Sequence, residues 1–235
     1  DHVGHSLSAL LADRTIAAIA AGQDWDGVWI FSYSGTLDDW ENSGFANFFD
    51  IQSNPSKWAF MPAGAALFRD GGMRPLASGR VLPLASSADA LAELIDLHQK
   101  HGFAPMGALK DLHGIPADAM LQQRLGVSLD GSRQQMPTIP EAGSIKVKPG
   151  LFTARGAGGF VIMQSLAAQG SSVLEKGKAG AIMAAALDGR PLAESSSALI
   201  VACGRCENRG MGFSADRRTV GSQWGTGPVH VEPLQ

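Results

Sequence analysis

The sequence predicts an α/β segment, then a small helical insert, then an antiparallel β-sandwich, along 235 residues. Three observations support this order. A strongly apolar run at residues 27–33 lies between two segments with helical periodicity. Residues 87–101 have one apolar and one acidic face, and short β-type runs separated by glycine and serine follow from residue 144. The predicted domain boundaries are 1–72, 73–143 and 144–235.

The run at 27–33 is the centre of the first part. Val28, Trp29 and Ile30 are β-formers, and glycines at positions 27 and 35 bound the run. An apolar run of this length is typical of a strand that is buried on both faces, as in a parallel sheet. We therefore predict a strand at 27–33.

A helix is predicted on each side of this strand. Residues 55–68 form the second helix, because Asn54 is a good N-cap and Pro55 suits the first turn. Residues 5–21 form the first helix, because apolar side chains recur there at helical spacing. These side chains are Leu7, Leu10, Leu11, Ile16, Ile19 and Ala20.

The remaining elements are predicted from clusters of glycine, proline and serine, which mark the turns and connections between them. A crossing rich in these residues at 73–87 precedes the insert at 87–101, and a short helix is predicted at 116–125. Asp188 and Gly189 form a hairpin-type turn. The sandwich strands are predicted at 145–147, 159–163, 181–187, 198–202 and 229–231.

The composition is that of an ordinary soluble globular protein, 45% hydrophobic and 17% charged. A formal net charge of −3 without a long Lys/Arg cluster argues against nucleic acid or a membrane as partner. The longest apolar runs are far shorter than the roughly 20 residues that span a bilayer. The histidines show no metal-ligand spacing, so we expect no metal and no cofactor. The compartment stays open, with secretion or a periplasmic location among the alternatives.

Cys203 and Cys206 form a lone Cys-x-x-Cys pair. A redox or metal role for such a pair needs a helix start or further ligands, and the sequence shows neither. The β-type residues before Cys203 place the pair at a strand end. We interpret both as structural thiols, with a metal site or a disulfide as the alternative.

Several motifs in this order resemble one family of proteins. The motifs are Gln-Asp-Trp-Asp-Gly at 23–27, Phe-Phe-Asp-Ile at 48–51, Pro-Ser-Lys at 55–57, Leu-Asp-Gly-Arg-Pro-Leu at 187–192 and Trp-Gly-Thr-Gly-Pro-Val at 224–229. They are similar to the end of the (β/α)8 barrel, and to the β-sandwich after it, in large retaining bacterial glycoside hydrolases that use two glutamates. The resemblance covers most of the chain and is weakest at residues 85–140.

The resemblance implies that residues 1–72 close a (β/α)8 barrel, with 27–33 as its eighth strand. Retaining glycosidases need two carboxyl groups about 5 Å apart, and in this family they lie on the fourth and seventh strands. We therefore expect both glutamates upstream of this chain or in a companion chain, and we name no catalytic residue here. The complete protein is expected to hydrolyse β-linked oligo- or polysaccharides.

A different class of function is the alternative. The chain is then a non-catalytic carbohydrate-binding or structural β-sandwich module with a helical appendage. The two hypotheses differ in whether a polypeptide supplies the first seven barrel strands, because a fold does not determine a function. The chain is expected to begin in mid-protein.

His2 and Tyr33 are candidate substrate-binding residues. His2 is expected beside the missing nucleophile, where it would donate a hydrogen bond; a frayed terminal histidine is the alternative. Tyr33 ends the predicted strand on the side where barrel active sites lie, so its hydroxyl is placed to bond a sugar or a catalytic carboxylate. A core tyrosine with a satisfied hydroxyl is the alternative.

The loop at 34–50 contributes two more candidates, because it is more acidic and aromatic than a connection requires. Trp40 offers a flat apolar face for a pyranose ring. Asp38 is placed to accept hydrogen bonds from neighbouring sugar hydroxyls, with a solvated surface acid as the alternative. We interpret Trp29 and Trp58 as packing residues.

Overall fold

A computed structural model describes residues 15–30, 33–34, 41, 43–44, 51–83, 92, 95–96, 99–100, 114–116, 118–128, 135–164, 180–204, 206–212 and 225–231. The helices described over continuous ranges are α1, described over residues 15–23, and α2 at Pro55–Arg69. Its strands are β1 Gly79–Pro83, β2 Arg124–Ser128, β3 Ser144–Lys148, β4 Leu151–Arg155, β5 Gly159–Gln164, β6 Gly180–Ala186, β7 Ala198–Gly204, β8 Cys206–Arg209 and β9 Thr226–Val231. Within the described ranges, no helix is long and apolar enough to cross a membrane.

The central element is a five-stranded sheet in the order β3-β4-β5-β6-β7, with every neighbouring pair antiparallel. Sequence neighbours are also sheet neighbours, so the sheet is a meander. The turn between β3 and β4 contains Gly150, whose φ of 75° favours glycine. The prediction of antiparallel strands from residue 144 onward is confirmed. The strand β4 was not predicted.

The core lies between one face of this sheet and the two helices. Val161 and Met183 from the sheet are fully buried with Phe60 and Leu67 from α2. Helix α2 packs on β6 and β7, and α1 completes the layer through small side chains such as Ala18. The described strands form one five-stranded sheet and two two-stranded sheets, and helices cover one face of the larger sheet, so the β-sandwich stays a prediction.

The two predicted helices are confirmed where the structure describes them. Residues 15–21 of the first are helical, and the second begins as predicted, with the side chain of Asn54 accepting a hydrogen bond from the backbone N–H of Lys57. Gly64 lies so close to α1 that a Cβ there would be 3.4 Å from Cβ of Ala17. Small residues thus let the helices form one layer.

The predicted strand at 27–33 is wrong over residues 27–30, which form neither strand nor helix. The side chain of Trp29 is 89% exposed, so the interpretation of Trp29 as a packing residue is also wrong. The physical reason is pairing: none of the described strands lies beside this segment. An apolar run gains strand structure only where neighbouring backbone accepts and donates its hydrogen bonds.

The insert between helices and sheet differs in part from its prediction. Positions 92, 95, 96, 99 and 100 are helical, in agreement with the helix predicted at 87–101. The helix predicted at 116–125 is wrong: a 3-10 turn at Ala119–Leu121 is followed by β2, which pairs in parallel with β1. Gln23 ties this pair to α1, accepting a bond of 2.9 Å from the backbone N–H of Leu125.

Candidate functional site

Of the four candidate substrate-binding residues, only Tyr33 lies within the described residues. His2, Asp38 and Trp40 lie outside them and remain predictions. The side chain of Tyr33 is 46% exposed, so it is not a core tyrosine. Its backbone carbonyl accepts hydrogen bonds from the backbone N–H groups of Ile51, at 3.1 Å, and Gln52, at 2.9 Å. These bonds hold Tyr33 against the chain that leads into α2.

Tyr33 is paired with Trp58. The ring centroids are 6.2 Å apart and the planes meet at 77°, which is an edge-to-face contact. The indole N–H of Trp58 donates to the backbone carbonyl of Gln52 at 3.2 Å, so the ring has a fixed direction. Trp58 is 46% exposed, and its interpretation as a packing residue is wrong. It stands two positions before Phe60 and thus off the buried face of α2.

An open cleft of about 660 Å³ lies beside Trp58. We call it the aromatic cleft; its described lining is Ser43, Gln52, Ser53, Pro55, Trp58, Ala59, Pro228 and Val229. One wall is held by a hydrogen bond of 3.0 Å from the backbone N–H of Val229 to the carbonyl of Ser43. Beside this hydrogen bond, the backbone segments at Gly44 and Gly227 pack closely, because a Cβ on Gly44 would be 2.9 Å from the backbone nitrogen of Gly227.

A buried polar cluster supports the turn that carries Trp58. The Asn54 amide oxygen accepts from the Ser56 hydroxyl at 2.9 Å and from the Lys57 backbone N–H at 3.2 Å. The sulfur of Cys206, on β8, is 3.2 Å from both Asn54 Oδ1 and Ser56 Oγ. The first turn of α2 is therefore tied to β8, and Trp58 is presented from a rigid base.

The two cysteines are buried free thiols on different strands. Cys203 belongs to the core beneath the sheet, and Cys206 belongs to the polar cluster just described. This arrangement agrees with the structural interpretation and not with a disulfide. Among the residues for which positions are described, no three or more His, Cys, Asp or Glu side chains are grouped as metal ligands.

The aromatic cleft has the chemistry of a binding site. Its described lining combines an indole face with hydroxyl and amide groups, and it contains no carboxylate. General acid or base catalysis needs a titratable group in reach of the substrate, and the described lining residues of this cleft supply no carboxylate for that step.

Sequence reasoning missed Gln52, Ser53 and Trp58 as parts of a site. The signal for Trp58 was present, since Phe60 and Leu67 define the buried face of the helix and Trp58 does not share it. The signal for the other two was absent, because the cleft forms only where α2 meets β9. Comparisons with protein-family models, with curated proteins and with solved structures give no match for this chain.

Proposed function

We propose that this chain is the C-terminal portion of a glycoside hydrolase acting on β-linked sugars, and that the aromatic cleft binds part of the sugar chain. The observation that carries the proposal is the pair of half-exposed rings, Tyr33 and Trp58, in edge-to-face contact beside an open cleft. Exposed aromatic faces next to hydroxyl and amide groups are suited to a ligand that has both C–H and O–H surfaces.

The physical argument concerns the indole of Trp58. Its face can cover the C–H side of a pyranose, while Gln52 and Ser53 lie close enough to the ring to meet sugar hydroxyls. At about 25 cal/mol per Å², a contact on the order of 60–80 Å² is worth roughly 1.5–2 kcal/mol. The hydrogen bond to Gln52 holds the ring before the ligand arrives, which lowers the entropy cost of binding.

The barrel part of the proposal has support from residues 15–69. Helix α1, the apolar segment 27–30 and helix α2 follow each other along the chain, and in this proposal the segment forms a strand only when neighbouring barrel strands pair with it. The exposed indole of Trp29 presents apolar surface that an added polypeptide would cover in the complete protein. In this proposal another stretch of polypeptide, upstream or in a companion chain, supplies the two glutamates. Tyr33 would then bond the sugar near the scissile bond, with His2, Asp38 and Trp40 as further contacts.

The test of binding uses the 235-residue chain and calorimetric titration with cellohexaose and xylohexaose. Trp58→Ala should weaken binding about tenfold or somewhat more. Trp25→Ala is the matched control, because Trp25 is 39% exposed and lies outside the cleft lining. Equal affinities of Trp58→Ala and the wild type would contradict the proposal. So would a loss of affinity that only follows a lower melting temperature.

The non-catalytic carbohydrate-binding module remains the rival, and an activity test separates the two. The chain is assayed on aryl β-glycosides together with the polypeptide encoded upstream of it. Hydrolysis that is lowered by Tyr33→Phe mainly in kcat supports the glycosidase. Binding without hydrolysis in any combination supports the rival.

A further inference from the structure

The five-stranded sheet has a second face, opposite the helices, and its strand register sets two rows of side chains across it. The first row is Ser144, Arg155, Phe160, Ala184 and Ile200, and the second is Lys146, Thr153, Ile162, Ile182 and Ala202. Both rows begin with polar or cationic residues at the β3 edge and end with apolar ones. The face therefore changes from cationic to apolar across the strands.

A cleft of about 950 Å³ lies over the β3 side of this face. Thr153, Phe160 and Ile162 form its floor, and residues 141–142 and 191–193 form walls. Its volume is within the range of about 300–1,000 Å³ that is typical of ligand sites. We call it the cationic cleft.

Both walls are held in place by hydrogen bonds. The backbone N–H of Leu192 donates to Ala157 at 2.8 Å, and that of Gly143 donates to Arg74 at 3.1 Å. The loop behind Leu192 is closed by Asp188, which accepts from the Ser195 hydroxyl at 2.8 Å and from the Ser196 N–H at 2.9 Å. The cleft is thus formed before any ligand binds, which reduces the cost of ordering.

The charged groups of the cleft favour an anion. Lys146 lies opposite Thr153 on the adjacent strand, two residues from Arg155. Lys146 and Arg155 are therefore diagonal neighbours, with their Cα atoms roughly 7–8 Å apart. Among the described lining residues, the one carboxylate is that of Glu141, which lies 3.7 Å from Arg74 and is 85% exposed. Arg74 compensates the charge of Glu141, and Lys146 and Arg155 line the cleft together with Ser144 and Thr153. The chain as a whole carries a formal charge of −3, so this positive surface is local.

We propose that the cationic cleft binds a β-linked oligosaccharide that carries uronate carboxylates. The proposal rests on the proposed function and narrows its substrate class. Arg155 offers a planar fork that matches a carboxylate, and Lys146, on the adjacent strand, offers a second positive charge. Phe160, directly opposite Arg155 in the register, supplies an apolar surface for the pyranose C–H face.

A sugar chain suits this surface better than an acidic peptide. Peptides commonly join a sheet by adding a strand at its edge, through backbone hydrogen bonds. The cationic cleft lies over the face of the sheet, where side chains and not backbone groups are presented. An acidic peptide is therefore the alternative occupant that the test must separate.

The test compares two ligands of equal length that differ only in their carboxylates, cellohexaose and its C6-oxidised form, a β-1,4-linked glucuronate hexamer. Calorimetric titrations use the full chain in 50 mM salt. The cleft variant is Lys146→Gln/Arg155→Gln. The control variant, Lys148→Gln/Arg209→Gln, removes the same formal charge from exposed positions outside the cleft lining.

The wild type should bind the glucuronate hexamer at least about tenfold more tightly than cellohexaose, since hydrogen bonds to charged groups are stronger than those to neutral groups. The cleft variant should lose this preference, and the control variant should keep it. The proposal is overturned if both variants lose the preference equally, if the wild type has none, or if a glutamate hexapeptide binds as tightly. Trp58→Ala should not change the preference. A further outcome separates the two proposals. If neither cellohexaose nor xylohexaose binds at the aromatic cleft, but the preference for the glucuronate hexamer still depends on Lys146 and Arg155, then the proposed function is contradicted and the anion site in the cationic cleft is supported.

Discussion

Two short segments of this chain have nearly the same sequence pattern and opposite structural outcomes. Residues 27–30 are Gly-Val-Trp-Ile, and residues 159–162, at the start of β5, are Gly-Phe-Val-Ile. In β5 the backbone pairs with β4 on one side and β6 on the other, and Val161 is fully buried. Residues 27–30 have no regular structure and expose Trp29. A run of β-forming residues can therefore adopt strand structure, but it does so only where neighbouring strands pair with it.

The difference has two energetic sources. Each hydrogen bond of a strand ladder contributes about 1 kcal/mol net, and burial of a valine or methionine side chain contributes about 1.5–3 kcal/mol. Segment β5 has both contributions, because β4, β6 and the helices surround it. Residues 27–30 pair with none of the described strands, and Gly27, Val28 and Ile30 are only half-buried. The proposed function gives this segment the role of a contact region for another polypeptide, through the exposed Trp29.

The largest expected effect lies at the centre of the sheet. Met183→Ala removes a fully buried side chain next to Val161 in the register, so it should lower the free energy of unfolding by about 2–5 kcal/mol. The measurement is urea denaturation. Ile200→Ala is the control on the opposite face, where the side chain is 69% exposed, and it should change the stability by less than about 0.5 kcal/mol. Equal losses would show that the outer face is packed.

The next effect compares the glycines that begin the two segments. In Gly159→Ala the new Cβ would be 2.6 Å from the backbone oxygen of Ala184, which cannot move aside, so we expect a loss of about 1–3 kcal/mol. In Gly27→Ala the nearest atoms, at 2.9 Å, belong to the exposed ring of Trp29, which can rotate away. Its stability should change by less than about 0.5 kcal/mol. Thermal unfolding of both variants checks the difference, and similar melting temperatures would refute it.

These contrasts explain which parts of the fold were predictable. The N-terminus of α2 was predicted correctly because its signals, Asn54 and Pro55, act within a few residues. The antiparallel strands after residue 144 were predicted because glycine turns separate them locally. The strand prediction was wrong over residues 27–30, and the sandwich stays a prediction, because both depend on which distant element covers an apolar face. No local pattern contains that information.

The candidate site shows the same limit. Tyr33 was predicted at the end of an apolar run, and its exposure agrees with a role in binding. Its partner Trp58 was assigned to packing, although helical spacing relative to Phe60 places it off the buried face. The register that brings Lys146 and Arg155 to diagonal positions on the same face of the sheet could not be predicted, because it requires the pairing of β3 with β4.

A smaller effect concerns the loop that bounds the cationic cleft. Hydrogen bonds from the Ser195 hydroxyl and then the Ser196 N–H lower the pKa of Asp188 to about 2. Because the folded pKa lies below the unfolded value, the stabilisation is present above about pH 4 and is lost as the pH falls towards 2. Asp188→Asn should lower the melting temperature slightly at pH 7, and the difference from the wild type should disappear near pH 2.

The control for this prediction is Glu194→Gln, which removes a carboxylate from the same loop without removing those hydrogen bonds. The difference in melting temperature between Glu194→Gln and the wild type should not shrink between pH 4 and pH 2 in the way expected for Asp188→Asn. A constant difference for Asp188→Asn down to pH 2 would show that the hydrogen bonds to Asp188 do not depend on its charge.

The smallest effect is expected at Trp29. The side chain is 89% exposed, so Trp29→Ala should change the free energy of unfolding by less than about 0.5 kcal/mol. Urea denaturation measures this, with Trp25→Ala, at 39% exposure, as the second exposed tryptophan. When the polypeptide that completes the proposed barrel is present, the same substitution should weaken its association, because the indole is then buried. A loss above about 1 kcal/mol in this chain alone would mean that Trp29 packs within the chain, and the segment 27–30 would no longer be a contact region.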